Sequence, residues 1–293
     1  MTAARKRRDI LAAKAAQPNS VPGDSTLPLL RWAGGKQHLL GEILLRLGVT
    51  SGTGRYVEPF LGAASVFLNV APKRALIADL NYHLVDCYEQ LRENPERVVS
   101  ELQRLLATPV TEARYYEIRE AYNHSKPSAR QSARFIYLNK TCFNGIFRVN
   151  QRGEFNVPFG RKYTPAIPDH GQISAAARSF DRAELRREGY EDTLARVSRG
   201  DVVFLDPPYP PSSRTAYFAH YTTDRFSEFD QHRLAARVRE LDEEGVQVMM
   251  TNADCTLIRN LYARFQVEEL QVVRWVSCKK IKPVASELII RNY

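Results

Sequence analysis

The 293-residue sequence predicts an α/β fold interrupted by a mainly helical segment, and three observations carry the prediction. Residues 56–79 read as strand, glycine turn, helix, strand and acid. Residues 82–143 keep a helical period with few strand signals. The α/β rhythm then resumes at Val202 and closes in two β-rich stretches.

Taken in order, Arg5-Lys6-Arg7-Arg8, an Ala/Lys stretch and then Pro18, Pro22, Gly23 and Pro28 make residues 1–28 a basic, loosely ordered tail. Order begins near Leu29. Tyr56-Val57-Glu58-Pro59-Phe60 is a short buried strand that ends in a turn at Gly62, and Ala63 to Val70 continues as a helix. Arg74 to Asp79 is a second strand closed by an acid. An acid about 20 residues beyond the glycine is the layout of a nucleoside-binding half-sheet. Leu84, Val85, Tyr88, Leu91, Val98, Leu102 and Leu105 repeat at helical spacing, and Pro127 opens another helix that reaches Lys140. A Gly-, Asn- and Arg-rich segment, 144–163, carries the hairpin turn Asn150-Gln151-Arg152-Gly153. Val202 to Leu205, Ser227 to Glu244, Val246 to Thr251 and Cys255 to Arg264 then alternate strand and helix. Gln266 to Ser277 and Val284 to Tyr293 are β-rich. The division is a tail over 1–28, an α/β domain in two pieces over 29–85 and 165–293, and an insert over 86–164.

Composition narrows the function classes. Hydrophobic residues make up 44% and charged residues 26%, which excludes a wholly disordered chain. No apolar run reaches the ~18 residues of a membrane span. The four cysteines are scattered without a C-x-x-C pair, so neither a disulfide framework nor a zinc ribbon is expected. The six histidines show no ligand spacing, and no metal is expected. These features point to a soluble, intracellular, cytoplasmic protein. The net charge of +9 favours polyanionic partners, nucleic acid first.

Asp206-Pro207-Pro208-Tyr209 is the most informative segment. It leaves an apolar strand, and so lies in the crevice where open sheets bind ligands. Two prolines remove backbone donors. What remains is a carboxylate, backbone carbonyls and an aromatic face, a set suited to an exocyclic amino group on a flat ring.

Asp-Pro-Pro-Tyr resembles the catalytic motif of amino-methyltransferases, and the whole chain from Leu29 on is similar to the Dam-type, D12-class family of DNA adenine-N6 methyltransferases. Arg31-Trp32-Ala33-Gly34-Gly35-Lys36 resembles the family's first cofactor motif, and the run from Tyr56 through Asn69 its second. Asn139 to Arg148 and Gly153 to Gly160 resemble its recognition hairpin. Two departures stand out. Ala64 occupies the place of a second glycine, and Ser277 to Pro283 is shorter and more basic than the family's polar turn.

The resemblance implies a Rossmann-like, S-adenosylmethionine-dependent methyltransferase domain with an inserted, mainly helical target-recognition domain carrying a β-hairpin. It implies methyl transfer to adenine N6 of double-stranded DNA, within GATC, by base flipping and direct transfer. Asp206, Pro207, Pro208 and Tyr209 would be catalytic. Trp32, Lys36, Glu58, Pro59, Phe60, Gly62, Asp79 and Asp206 would bind S-adenosylmethionine, with Lys36 near the methionine carboxylate and Asp79 on the ribose hydroxyls. Phe60 also reads as core, and Asp79 as a helix cap ahead of Asn81. Phe143, beside Asn144, would wedge the duplex, and Arg148 would read guanine. Ile146 and Pro158 would touch a thymine methyl. Lys140, Arg152, Arg161 and Lys162 would complete the DNA contacts. Alternatives are the same chemistry on cytosine N4 or RNA, or a DNA-binding regulator without catalysis. A protein-glutamine methyltransferase would carry Asn where Asp206 stands. The resemblance places the protein at a bacterial nucleoid, or in a phage-encoded setting, solitary or paired with a restriction nuclease.

Overall fold

The computed structural model describes residues 28–50, 53–210, 226–273 and 284–293. The expected tail, apart from Pro28, and the basic turn Ser277 to Pro283 lie outside them. The described elements follow in chain order: α1 (Leu40–Arg46), β1 (Tyr56–Glu58), α2 (Ser65–Val70), β2 (Ala75–Ala78), α3 (Tyr82–Glu93), α4 (Pro95–Leu106), α5 (Glu112–Asn123), α6 (Ala129–Thr141), α7 (His170–Phe180), β3 (Ala183–Arg186), α8 (Tyr190–Leu194), β4 (Val202–Leu205), α9 (Glu228–Glu243), β5 (Gln247–Ala253), α10 (Thr256–Leu261), β6 (Gln266–Val273) and β7 (Val284–Arg291).

The seven strands form one Rossmann-like sheet in the order β3-β2-β1-β4-β5-β7-β6. Strands β1 to β5 pair in parallel, and β7 runs antiparallel to both β5 and β6. β1, β2 and β4 are buried at every position, as strands covered on both faces must be. Side chains alternate between two apolar layers. Tyr56, Phe204, Met249 and Ile289 join a cluster with helices α1 to α7. Val57, Val203, Leu205 and Met250 join one with α8, α9 and α10. The helices of residues 82–141 therefore share a core with one face of the sheet. Strand order reverses between β1 and β4, so their C-terminal ends open onto the switch-point crevice.

Local signals explain the helix starts. Asn81 caps α3 by accepting from His83 N at 3.0 Å. Ser128 caps α6, so Pro127 precedes the cap rather than opening the helix itself. Capping boxes at Asp169/Gln172 and Ser227/Asp230 start α7 and α9. The turn after β1 differs from expectation in one respect: Ala64 sits at φ +57°, in the left-handed region. Glycine adopts that conformation without the clash an L side chain meets. The departure at Ala64 is thus a matter of backbone more than of size.

Candidate active site

Three chain segments meet at the carboxyl ends of β1 and β4. The first is the turn after β1. Gly62 has φ +49°, in the left-handed region that favours glycine, and a Cβ there would lie 3.2 Å from Trp32 Cδ1, so the turn and the indole lie close. Gly62 N donates to Asp79 Oδ2 at 2.9 Å, and Asn81 N donates to Asp79 Oδ1 at 2.8 Å. Asp79 therefore braces the turn, while Asn81 supplies the helix cap. Burial pushes the Asp79 carboxyl up, against the pull of those two N–H groups. Phe60 is partly buried and stacks on Tyr190 at 5.4 Å, which makes it both a wall of the recess and part of the second apolar layer. Glu58 is almost fully buried and accepts from Tyr56 Oη at 2.6 Å. Burial, with Asp206 and Asp79 nearby, pushes its carboxyl up to about 8.

The second segment is the glycine loop before α1. Asn139 bonds both backbone groups of Arg31, accepting from its N at 2.7 Å and donating to its O at 2.8 Å. Trp32 stacks on Phe147 with ring centroids 5.3 Å apart. Lys36, 4% exposed, donates to Gly34 O at 2.7 Å and pairs with Asp206 Oδ1 at 2.9 Å. The expected partner of Lys36 was a carboxylate of the cofactor; within the chain it holds Asp206.

The third segment is Asp206-Pro207-Pro208-Tyr209. Thr251 Oγ1 donates to Asp206 Oδ1 at 2.8 Å. Burial raises the Asp206 carboxyl, Lys36 and Thr251 pull it back, and Glu287 adds repulsion. Pro207 is buried and Pro208 exposed. Gln231 Nε2 fixes Pro208 O at 2.9 Å. Tyr209 donates to Glu287 Oε2 at 2.8 Å, and the Lys36 ammonium lies 4.7 Å from its ring centroid. Together the segments line a recess of ≈ 290 Å³ that includes Trp32, Lys36, Glu58, Phe60, Gly62 and Asp206. Pro59 lies on the turn between Glu58 and Phe60.

The residues expected to face DNA are less closely grouped. Phe143 is 48% exposed, and Asn144 beside it has φ +55°. Phe143 N donates to Pro158 O at 2.9 Å, which joins the two recognition segments. Pro158 is exposed. Ile146 turns inward, packed against the first core cluster, because the aromatic group around Phe147 draws this stretch down. The turn thus separates Phe143 and Arg148, both exposed, from Ile146. Arg148 Nε is held by Asn156 Oδ1 at 2.8 Å across the hairpin. Arg152 is exposed on the Asn150–Gly153 turn, and Arg161 is exposed with φ +54°. Lys140 and Lys162 stand near Arg31. Burial, then Arg31 and Lys162, push the Lys140 amine down to about 8, and burial also lowers Lys162. A second recess of ≈ 490 Å³ lies under the hairpin among Tyr82, His83, Tyr122 and Gln131.

Sequence reasoning missed Thr251, Gln231, Glu287 and His38. An acid within the apolar run Ser286-Glu287-Leu288-Ile289-Ile290 was the available signal for Glu287. Among the described residues, no three His, Cys, Asp or Glu side chains group as metal ligands. No helix among them is long and apolar enough to cross a membrane.

Comparison with known proteins agrees with this geometry. The D12 class N6 adenine-specific DNA methyltransferase family matches residues 32–276. Type II methyltransferase M.MjaIII of Methanocaldococcus jannaschii is 33% identical over 285 residues, covering 91% of this chain and 99% of that protein. The DNA adenine methylase of Serratia marcescens is 38% identical over 250 residues, covering 85% of this chain and 91% of that protein. That of Escherichia coli K12 is 37% identical over 249 residues, covering 85% and 88%. With its motifs gathered at one switch point, the chain belongs to the D12 class of N6 adenine-specific DNA methyltransferases, enzymes that draw the methyl group from S-adenosylmethionine.

Proposed function

We propose that this adenine-specific DNA methyltransferase acts within GATC of double-stranded DNA, on an adenine turned out of the helix into the crevice above Asp206. The observation that carries the reading is the Asp206 carboxylate, held by Lys36 and Thr251 beside the ring of Tyr209. Both contacts fall on Oδ1. Oδ2 is therefore the oxygen offered to a substrate amino group. Adenine N6 is a poor nucleophile because its lone pair is delocalised into the ring. Hydrogen bonds from N6–H to Asp206 Oδ2 and to the Pro207 carbonyl localise that pair on nitrogen. Tyr209 lies against the base and sets its plane, and orientation of this kind supplies a large part of such accelerations.

The recess fits the cofactor on this chain's own features. Gly62 leaves a wall without a Cβ, the Asp79 carboxylate stands at the end of β2, and the recess reaches Asp206. S-adenosylmethionine supplies an activated methyl group on a sulfonium. Trp32, Lys36, Glu58, Pro59, Phe60, Gly62 and Asp79 shape the recess around it.

Residues 86–164 are the target-recognition insert in this reading, and residues 29–85 and 165–293 the catalytic domain. Exposed Phe143 opens the stack, and Arg148 reads a guanine edge. Lys140, Asn144, Arg152, Pro158, Arg161 and Lys162 border the duplex. Ile146 packs partly against the first core cluster, and its remaining surface faces the duplex beside Pro158 in this reading. Extruding the base costs a few kcal/mol, which the charged surface and the pocket offset. GATC rests on the likeness of the hairpin segments.

The test is digestion of plasmid from a methylation-deficient host expressing the protein. Cutting by a nuclease blocked by N6-methyladenine in GATC should be lost, while a nuclease indifferent to it still cuts. Full cutting by both, with methyl label present elsewhere in the DNA, would refute GATC.

A further inference from the structure

Glu287 is a buried acid within β7, the strand next to the β6 edge of the sheet. It lies on β7 opposite Ala253 of β5 and is 6% exposed. A buried carboxylate is costly unless it is paired. This one is paired on both oxygens. Oε2 accepts the Tyr209 hydroxyl at 2.8 Å, and Oε1 faces His38 Nε2 at 3.4 Å. Burial alone would raise its carboxyl. His38, Lys36 and Tyr209 outweigh that and hold it below the ordinary carboxylate range. The Tyr209 phenol is held well above its ordinary value by burial, Asp206 and Glu287, so it stays the donor.

The consequence is geometric. Anchoring the Tyr209 hydroxyl oxygen restricts the swing of the ring about Cα–Cβ, and because a phenol O–H prefers the ring plane, the Glu287 acceptor also biases rotation of the ring about Cβ–Cγ. At the near end, Pro207 and Pro208 stiffen the backbone, and Gln231 anchors the Pro208 carbonyl. One face of the ring is turned to the Lys36 ammonium, 4.7 Å from the ring centroid. We propose that Glu287 is a positioning residue for methyl transfer: from β7 it fixes the plane of Tyr209 and thereby the plane of the target base. This rests on the reading of Asp206 to Tyr209 as the base site.

The test is a double-mutant cycle read by single-turnover methylation of a GATC duplex, with DNA and S-adenosylmethionine affinities measured alongside. Glu287→Ala should slow transfer about 10- to 100-fold, the scale expected when reacting groups lose alignment, and change either affinity by less than about threefold. Glu287→Gln keeps an oxygen that accepts the same O–H, so it should recover to within about fivefold of the native rate. In a Tyr209→Phe background, which lacks the hydroxyl, Glu287→Ala should cost under about threefold more, because contacting residues couple. If Glu287→Ala does not fold, Glu287→Leu takes its place in the same cycle. Equal slowing in both backgrounds, or a Gln variant as slow as the Ala variant, would overturn the proposal. Native-rate transfer by Asp206→Ala would instead overturn the base-site reading beneath it, and the two failures are distinct.

Discussion

Burial raises the Asp206 carboxyl, and Lys36 is the main group that pulls it back. Breaking a buried pair leaves the surviving charge uncompensated, at roughly 3–5 kcal/mol. Lys36→Met should therefore raise the Asp206 carboxyl further. If Asp206 acts as proposed, transfer needs its ionised form, so the acid limb of the rate–pH profile should move to higher pH, with the rate at pH 7 down by about tenfold or more for each 1.4 kcal/mol lost. A rate–pH profile of the variant checks this, and an unmoved acid limb would exclude Lys36 from tuning Asp206. Glu58 gives a second test, read as stability against pH. Its folded carboxyl lies near 8, above an ordinary glutamate. Between about pH 4.5 and 8 the folded state binds the extra proton, so stability falls as pH rises through that window. Denaturant unfolding should show the native protein losing up to about 1.4 kcal/mol per pH unit relative to Glu58→Gln across it. Parallel stability curves would mean that Glu58 is ionised throughout.

At the scale of elements, the hairpin and the Phe143 turn divide labour between inward and outward residues. Phe147 is locked into an aromatic group with Trp32, His83, Phe135 and Phe155, while Arg148 projects outward beside Asn156. A bidentate Arg–guanine contact discriminates by ~1–3 kcal/mol. Arg148→Ala should relax preference at one G·C pair of the target and leave the other positions strict. Lys162→Ala should weaken all sequences alike and flatten the salt dependence. Methylation rates on duplexes varied at single pairs separate the two, and a uniform loss for Arg148→Ala would make it a phosphate contact. The elements themselves were legible where burial is complete. β2 and β4 are unbroken apolar runs, β1 is buried throughout although it ends on Glu58, and the glycine turn announced the nucleoside-binding half. β3 escaped notice because an edge strand with Leu185 as its one buried position lacks a pattern. Asp206 and Lys36 were legible as motifs. Thr251, Gln231 and Glu287 were not, because each sits in an ordinary strand or helix, and chain crossovers alone bring it to the crevice.

Across the whole molecule, a switch point assembled from the ends of β1, β4, β5 and β7 gathers the Gly62 turn, the Asp206 carboxylate and the Tyr209 ring around one crevice. The glycine loop ties that crevice to residues 139–148 through Asn139 and the Trp32–Phe147 stack. The net charge of +9 supplies long-range attraction to DNA but no chemistry. Binding and transfer should therefore separate on a single substitution. The most direct measurement is the single-turnover methylation rate of Asp206→Ala on a GATC duplex, with DNA affinity determined on the same preparation. Losing one preorganised electrostatic group costs ~10²-fold or more. The rate should fall at least that far while DNA affinity stays within a few-fold of native. Transfer above about one per cent of the native rate would contradict the assignment of Asp206 as the acceptor that readies adenine N6.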